Sequence, residues 1–312
     1  MRYYISIQLL EGRIQAAALC ADTLHPMRER VFEEVFGQQC SYSHIQVKVK
    51  KLISQVRHQH EQEELAGISL SLHAIVEDKD LTIRRAFELP CLDAHNLVRD
   101  LGADYSCPIA IVPIALAFAL HETASFPKRL SPFLAVYLGQ VVDGALLLKG
   151  RPLRGHISYS CNVGHINLQA HGPVCGCGKS GCLEAFTGSL AIVRRYSALT
   201  NTPPLPVADI MAKAEAGEQA ARQVFADTGR YLAQGVGSLI NVLSPGRIAL
   251  AGPLTRAYPF FKPAMTEELQ LYAFAAFLQG LSIYAAPAWN KGLVSGCCRV
   301  FGNKDLEQFI LF

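Results

Sequence analysis

Residues Gly164 to Gly188 read GHINLQAHGPVCGCGKSGCLEAFTG, and this stretch limits the possible folds more than any other. His165, Cys175, Cys177 and Cys182 fall within eighteen positions of it. Three thiolates and one imidazole complete the tetrahedral shell of a structural zinc site and leave no open position for water. The sequence therefore predicts a zinc ion that stabilises the fold instead of performing chemistry.

The residues around these ligand candidates support a tight loop. Gly176, Gly178 and Gly181 tolerate positive φ, so the backbone can turn closely enough for the cysteines to face one ion. His171 competes for the histidine role, and a loop with incidental free thiols is the alternative to a metal site. The other cysteines are expected to be buried small hydrophobes; they are Cys20, Cys40, Cys91, Cys107, Cys161, Cys297 and Cys298.

Composition excludes several classes of function. The 29 basic and 26 acidic residues give a net charge of +3 without a polybasic tail, which does not predict nucleic-acid binding. The N-terminus lacks the apolar core of a signal peptide, and no apolar run reaches the roughly 18 residues of a membrane span. We therefore expect a cytoplasmic protein without membrane contact, where a tight cysteine cluster favours metal over disulfide.

Hydrophobic patterning predicts alternating strands and helices. YYISIQLL and RIQAAALC flank the turn residues EG, and a third apolar run follows near Arg30 to Val35. An amphipathic helix is expected around Ile45 to Val56, then a strand in LAGISLSLHAIV and a short helix closed by Gly102. PIAIVPIALAFALHE reads as a strand that runs into a helix. This alternation is typical of α/β architecture.

The prolines between Ser125 and Pro132 mark a boundary, after which a second set of hairpin strands begins. We expect an N-terminal α/β domain at 1–125, completed by a C-terminal helix near 290–304. A second α/β domain is expected at 126–289, with the zinc loop at 164–184. Two halves that each open with hairpin strands suggest an ancient duplication.

The pattern G-H-x9-C-x-C-G-x2-G-C-x-E resembles the zinc signature of the ROK family, a group of bacterial sugar kinases and sugar-responsive repressors. The stretch LINVLSPGRIALAGPL and the order of predicted elements also resemble this family over essentially the whole chain. The resemblance implies an actin-like, ribonuclease H-like fold of two α/β domains with a structural zinc loop.

The resemblance also implies where a kinase would carry its catalytic groups. Family kinases have a D-x-G-G-T loop in the first hairpin, whose aspartate helps place magnesium and whose glycines let amides approach phosphate. Here Gln8 stands at the aspartate position. The family's E-N-D-x-N segment holds the general base, and it aligns with Pro113 and Ile114. We therefore expect neither ATP nor Mg²⁺ to bind.

Other family features are reduced as well. The second hairpin, YLGQVVDGALL, retains only Gly139 and Gly144 of a glycine-rich phosphate turn, and the late glycine pair becomes Ala251 and Gly252. In the sugar pocket, the glutamate of the family's E-x-G-H is replaced by Asn162, while His165 and Glu184 match the remaining sugar contacts. These three residues are the predicted effector-binding residues, and no catalytic residue is predicted.

These comparisons predict a non-catalytic, regulator-like protein linked to sugar metabolism, a pseudokinase that binds a sugar-derived effector or a protein partner. Family repressors carry an N-terminal helix-turn-helix, whereas this sequence as it stands opens at its first predicted strand, so we expect no direct DNA binding. A homo-oligomer, dimer or tetramer, is expected. Two alternatives remain: a structural subunit that pairs with a competent paralogue, and a sugar kinase with a displaced base, for which the candidates are Asp104, His121, Glu122 and Asp143.

Overall fold

The computed structural model describes residues 1–10, 12–27, 30–37, 40–124, 126, 132–156, 161–286 and 288–311. The chain divides into two compact units: the first contains Met1–Phe126, Gly150–Ser160 and Ala288–Phe312, and the second contains Pro127–Lys149 and Cys161–Pro287. This division differs from the sequence-based boundaries at Gly150–Ser160, which the sequence analysis placed in the second domain. The predicted boundary segment 125–132 lies outside the described residues except for Phe126 and Pro132.

The first unit alternates strands and helices along the chain. Its elements are β1 (Arg2–Leu10), β2 (Arg13–Cys20), β3 (Phe32–Val35), α1 (Tyr42–Gln59), β4 (Glu64–Leu72), β5 (Ala74–Val76), β6 (Ile83–Ala86), α2 (Leu97–Gly102), β7 (Ile109–Pro113), α3 (Ile114–Thr123), β10 (Arg151–Pro152), α10 (Trp289–Cys298) and β13 (Ile310–Leu311). The main sheet has the order β13-β7-β4-β1-β2-β3. β1 pairs antiparallel with β2 and parallel with β4, and β4 pairs parallel with β7.

Sequence patterning accounts for most of these elements. Helix α1 buries Ile45, Val49 and Leu52 against the core, as expected from their helical spacing, and Ser41 caps its N-terminus. The run LAGISLSLHAIV, predicted as one strand, is two strands, because the chain leaves the main sheet at His73. After that residue β5 pairs with β6 in a separate two-stranded sheet.

The second unit is richer in helices. Its elements are β8 (Phe133–Leu138), β9 (Val142–Leu148), α4 (Leu183–Thr187), α5 (Ser189–Thr200), α6 (Val207–Glu215), α7 (Gln219–Leu243), β11 (Arg247–Ala251), α8 (Tyr258–Tyr272), α9 (Ala275–Leu278) and β12 (Ser282–Ala285). Its strands have the order β9-β8-β11-β12, with an antiparallel β8–β9 hairpin and parallel pairs beyond it. Helix α7 packs against α8, and both cover the core of this unit.

The cysteine-rich loop lies between β9 and α4, beside this core, because Val163 and Leu183 at its two ends are buried members of the core cluster. In the described part of the chain, no helix combines the length and the apolar character needed to cross a membrane.

Candidate metal centre

A short 3-10 turn, Val163–His165, places the histidine of the candidate site. This turn packs directly on β9: a Cβ added to Gly164 would lie 1.9 Å from the carbonyl oxygen of Val142. A Cβ added to Gly144, on β9, would lie 2.1 Å from Cγ2 of Val163. Only glycine fits at such contacts, so the close approach of the turn to the strand fixes the position of His165.

The cysteines lie on a tight loop that leads into α4. The Cys175 N–H donates to the Lys179 carbonyl at 2.8 Å, and the Gly178 N–H donates back to the Cys175 carbonyl at 2.9 Å. Gly178 and Gly181 have φ of 85° and 79°, as the sequence analysis expected, whereas Gly176 does not have a positive φ. Cys182 then occupies the N-cap position of α4, without a side-chain hydrogen bond to the helix. The loop therefore turns its three cysteines towards one point.

One ligand atom from each of His165, Cys175, Cys177 and Cys182 lies within 4.8 Å of the others. The Cys177 and Cys182 Sγ atoms are 3.7 Å apart, as are the Cys175 Sγ and the His165 Nδ1. A tetrahedral zinc shell with thiolate ligands has edges of about 3.8 Å. The donor set and its spacing thus fit a four-coordinate zinc ion, and the group could hold such a metal. The competing His171 is exposed and lies outside this group.

The three thiols differ in their surroundings. Cys175 and Cys182 are buried and Cys177 is exposed. Burial, reinforced for Cys175 by the nearby Glu184 carboxylate, raises the pKa of the Cys175 and Cys182 thiols. For Cys177 burial acts in the same direction, but hydrogen bonds from Lys179 and the neighbouring thiols outweigh it and lower its pKa. A bound divalent cation would stabilise all three as thiolates.

Glu184, matched in the sequence analysis to a sugar contact, joins this loop to the sheet. Its Oε2 accepts a hydrogen bond from the Val142 N–H at 2.9 Å, and its Oε1 lies 3.3 Å from the Cys175 Sγ. Asn162 is exposed at the start of the 3-10 turn and makes no side-chain cap to it. Sugar binding by Asn162, His165 and Glu184 stays a prediction.

The positions that align with kinase groups lie in the first unit and are buried. Ile114 is fully buried at the first residue of α3, directly after Pro113, which is also buried. Gln8 is 2% exposed, and its Nε2 donates to the Ser6 Oγ at 2.5 Å. None of these side chains ionises in the range where a general base works.

The four candidates for a displaced base have other partners or surroundings. Asp104 forms an ion pair with Lys50 at 2.6 Å. The His121 Nδ1 lies 2.6 Å from the Ser295 Oγ, and burial lowers the pKa of this histidine. Asp143 is buried on β9 and accepts a hydrogen bond from the next backbone N–H, and Glu122 is half-buried at the end of α3.

The glycines retained from the family's phosphate turns have packing roles. Gly144 leaves room for Val163, as described above, and Gly252 has a φ of 96°. A Cβ added to Gly252 would lie 2.3 Å from the Leu138 carbonyl oxygen. Both residues are therefore required by close backbone contacts, and their presence does not by itself indicate phosphate binding.

Sequence reasoning missed a polar contact beneath the main sheet. The Ser6 Oγ donates to the Val294 carbonyl at 2.7 Å and lies 2.9 Å from the Cys297 Sγ. The Ser69 Oγ donates to the Cys297 carbonyl at 2.7 Å. The alternating serines in ISLSL gave a signal that this face is not purely apolar. These bonds tie β1 and β4 to α10, the helix that the chain contributes from its C-terminal segment.

Comparison with known proteins places these observations in a family. The model of the ROK family matches residues 16–301. The DNA-binding transcriptional repressor Mlc of Escherichia coli K12 is 22% identical over 254 residues, which cover 78% of this chain and 63% of the repressor. The chain thus spans less than two thirds of that repressor's length. The N-acetyl-D-glucosamine kinase of Escherichia coli O157:H7 is 26% identical over 217 residues, 65% of this chain and 68% of the kinase.

A ROK family glucokinase from Streptomyces griseus, solved with glucose and AMPPNP, superimposes with a TM-score of 0.82 at 17% identity, covering 96% of this chain and 98% of the kinase. This likeness confirms the predicted fold class, the mixed α/β, actin-like fold of sugar kinases. The match of the family model over most of the sequence shows that this chain belongs to the ROK family.

Proposed function

We propose that this chain is a non-catalytic ROK protein that binds a sugar-derived effector or a protein partner in the regulation of sugar metabolism. Its relatives include a protein named as a transcriptional repressor and one named as a sugar kinase, which connects the family to sugars. The observation that carries the non-catalytic part is the fully buried Ile114 at the position aligned with the family's general base.

The side chain at that position is the reason for proposing a non-catalytic protein. Phosphoryl transfer to a sugar needs a group that accepts the proton of the attacking hydroxyl. Isoleucine has no such group, and the preceding Pro113 supplies none. Gln8 is a neutral amide in place of a carboxylate, and it is engaged with Ser6 inside the unit. A neutral, buried amide is a poor ligand for Mg²⁺, which favours carboxylates and phosphate oxygens.

The metal centre is proposed to hold one zinc ion with a structural role. Its support is the Cys3His donor set with spacings near those of a tetrahedral shell. A complete protein shell leaves no position for a substrate or an activated water. Within this proposal the zinc orders the loop between Asn162 and Glu184, so it supports an effector site without reacting.

A coupled assay with ATP and a panel of hexoses and N-acetylated amino sugars tests the non-catalytic assignment. We expect no turnover above background and no ATP binding by calorimetry, with an active ROK sugar kinase as the positive control. Turnover that disappears in Asp143→Asn or His121→Ala would instead establish the alternative, a kinase with a displaced base.

A thermal-shift screen tests the effector part separately. A sugar or sugar phosphate that binds only the folded chain adds about 2.7 kcal/mol to its free energy of unfolding at a concentration one hundred times Kd, and it therefore raises the Tm. We expect at least one such ligand, and Asn162→Ala should reduce the rise in Tm that it causes.

The expected homo-oligomer stays a prediction that light scattering can check. A chain that responds to no sugar but co-purifies with a ROK paralogue would favour the structural-subunit alternative.

A further inference from the structure

Two thiols of the first unit, outside the metal centre, lie in direct contact. The Cys40 Sγ and the Cys91 Sγ are 3.0 Å apart, although 51 residues separate them in the sequence. Both are partly exposed, whereas the sequence analysis expected buried small hydrophobes. We propose that Cys40 and Cys91 form a reversible disulfide, which makes this pair an oxidative modification site of the first unit.

The segment that carries Cys91 is held in place by backbone hydrogen bonds. Cys91 lies in a 3-10 turn, Pro90–Leu92, that follows β6. The Ala94 N–H donates to the Ile83 carbonyl at 2.7 Å, and the Ile83 N–H donates to the His95 carbonyl at 2.9 Å. The turn is therefore anchored to β6, and the Cys91 side chain has a defined position.

The segment that carries Cys40 is held against the same region by contacts that do not involve the thiols. Cys40 precedes Ser41, the N-cap of α1. The Tyr42 ring stacks on His95 with centroids 3.8 Å apart, and its hydroxyl donates to Asp100 Oδ2 at 2.6 Å. These contacts keep the two cysteines adjacent whether or not they are bonded to each other.

Oxidation therefore requires only a small movement. A disulfide has an S–S distance of about 2.05 Å, so the two Sγ atoms must approach by roughly 1 Å. Both side chains pack at the margin of the core cluster, and partial exposure leaves an approach for a small oxidant. Burial, together with the adjacent Cys40, raises the pKa of the Cys91 thiol to about 12, so Cys91 stays a thiol at neutral pH.

The oxidant is a low-molecular-weight disulfide such as oxidised glutathione. The Cys40 thiolate attacks one sulfur of that disulfide, whose S–S bond breaks and releases one glutathione thiolate. Cys91 gives its proton to the released thiolate and attacks the Cys40 Sγ, which expels the second glutathione. In total the two thiols lose two protons and two electrons, and the oxidant is reduced to two thiols, the second of which takes up the proton that Cys40 released on forming its thiolate. An excess of reduced glutathione reverses both steps.

Peptide mapping of the full chain tests this site. The chain is purified without chelator, incubated with oxidised glutathione at neutral pH, alkylated and digested with trypsin under non-reducing conditions. We expect residues 31–48 and 86–99, the tryptic peptides that hold Cys40 and Cys91, as one species lighter by two hydrogens than their sum. Dithiothreitol should separate them. Recovery of the two peptides unlinked, or each carrying its own glutathione, would refute the proposal.

Variants supply a second readout. Closing a loop of this length should raise the Tm of the oxidised parent by roughly 5 to 10 °C over the reduced form. The shift should vanish in Cys40→Ser and persist in Cys20→Ser, a control at another half-buried thiol. If the oxidised parent melts no higher than the reduced chain, the native contacts do not accommodate a Cys40–Cys91 disulfide, and the proposal is contradicted. Both readouts are independent of sugar or ATP binding.

Discussion

Two regions that the sequence aligned with family motifs hold opposite kinds of side chain, metal-binding donors in one and apolar groups in the other. They are the metal centre of the second unit and the β7–α3 junction of the first unit. At the metal centre, all four predicted donors converge within 4.8 Å. At the junction, Pro113 and Ile114 are apolar and buried. The first arrangement, as proposed, would stabilise the fold through a bound zinc ion and would need no substrate. The second must meet a substrate in a working kinase. The proposed function therefore requires that a family member can keep the metal site without the catalytic site.

Removing one donor at the metal centre has the largest expected effect. In Cys177→Ser the lost ligand is exposed, so packing changes little while the shell becomes incomplete. Because structural zinc supplies on the order of 10 kcal/mol of folding free energy, the Tm should fall by about 10 °C or more. Metal analysis should show zinc in the parent and in Cys20→Ser and little in Cys177→Ser. A variant as stable as the parent would contradict a structural zinc.

Placing an acid at the junction tests the other half of the comparison. Ile114→Asp should cost about 3–5 kcal/mol of unfolding free energy, because the carboxylate is buried without a partner. Ile114→Val, which removes one methylene, should cost about 1 kcal/mol. Urea unfolding measures both. If Ile114→Asp is as stable as the parent and phosphorylates a sugar, the junction opens to substrate and the contrast fails.

A smaller effect is expected where the metal centre meets β9. Gly164→Ala places a methyl group against the Val142 carbonyl and should cost about 2–3 kcal/mol, while reducing zinc retention because His165 shifts. Gly176→Ala is the matched control, since nothing lies within 4 Å of its added Cβ and its φ is not positive. If the two variants are equally stable and hold the same amount of zinc, the contact between Gly164 and Val142 does not fix the position of His165.

The sequence revealed local features better than distant ones. Helix α1 followed from the spacing of its apolar residues, and the donor cluster followed from the closeness of its cysteines and glycines. The break at His73 escaped detection because the apolar run continues on both sides, and leaving the main sheet is decided by pairing with β6. The contact between Cys40 and Cys91 depends on tertiary packing across 51 residues, which no spacing encodes.

The contact between Glu184 and Val142 shows a second feature that the sequence does not predict. Sequence comparison matched Glu184 to a sugar contact, which stays a prediction, but it gave no sign that the Glu184 Oε2 accepts a hydrogen bond from the Val142 N–H. Backbone donors are the same at every residue, so the sequence carries no mark of which one will be used. The fold class was predicted correctly because the alternation of many elements indicates α/β architecture and the zinc signature resembles that of the ROK family, which implies the actin-like fold.

Residue Val142 has a further consequence for how the second unit assembles. Its N–H donates a hydrogen bond to the Glu184 carboxylate, and its carbonyl oxygen lies against Gly164. It also pairs with Leu138 at the closed end of the β8–β9 hairpin. A slip of this hairpin by one residue would turn Asp143 to the opposite face and put the wrong peptide groups against the loop. The backbone groups that Glu184 and Gly164 contact are therefore in place only when the hairpin is in register, so the geometry of the donor cluster depends on a strand pairing formed outside the loop.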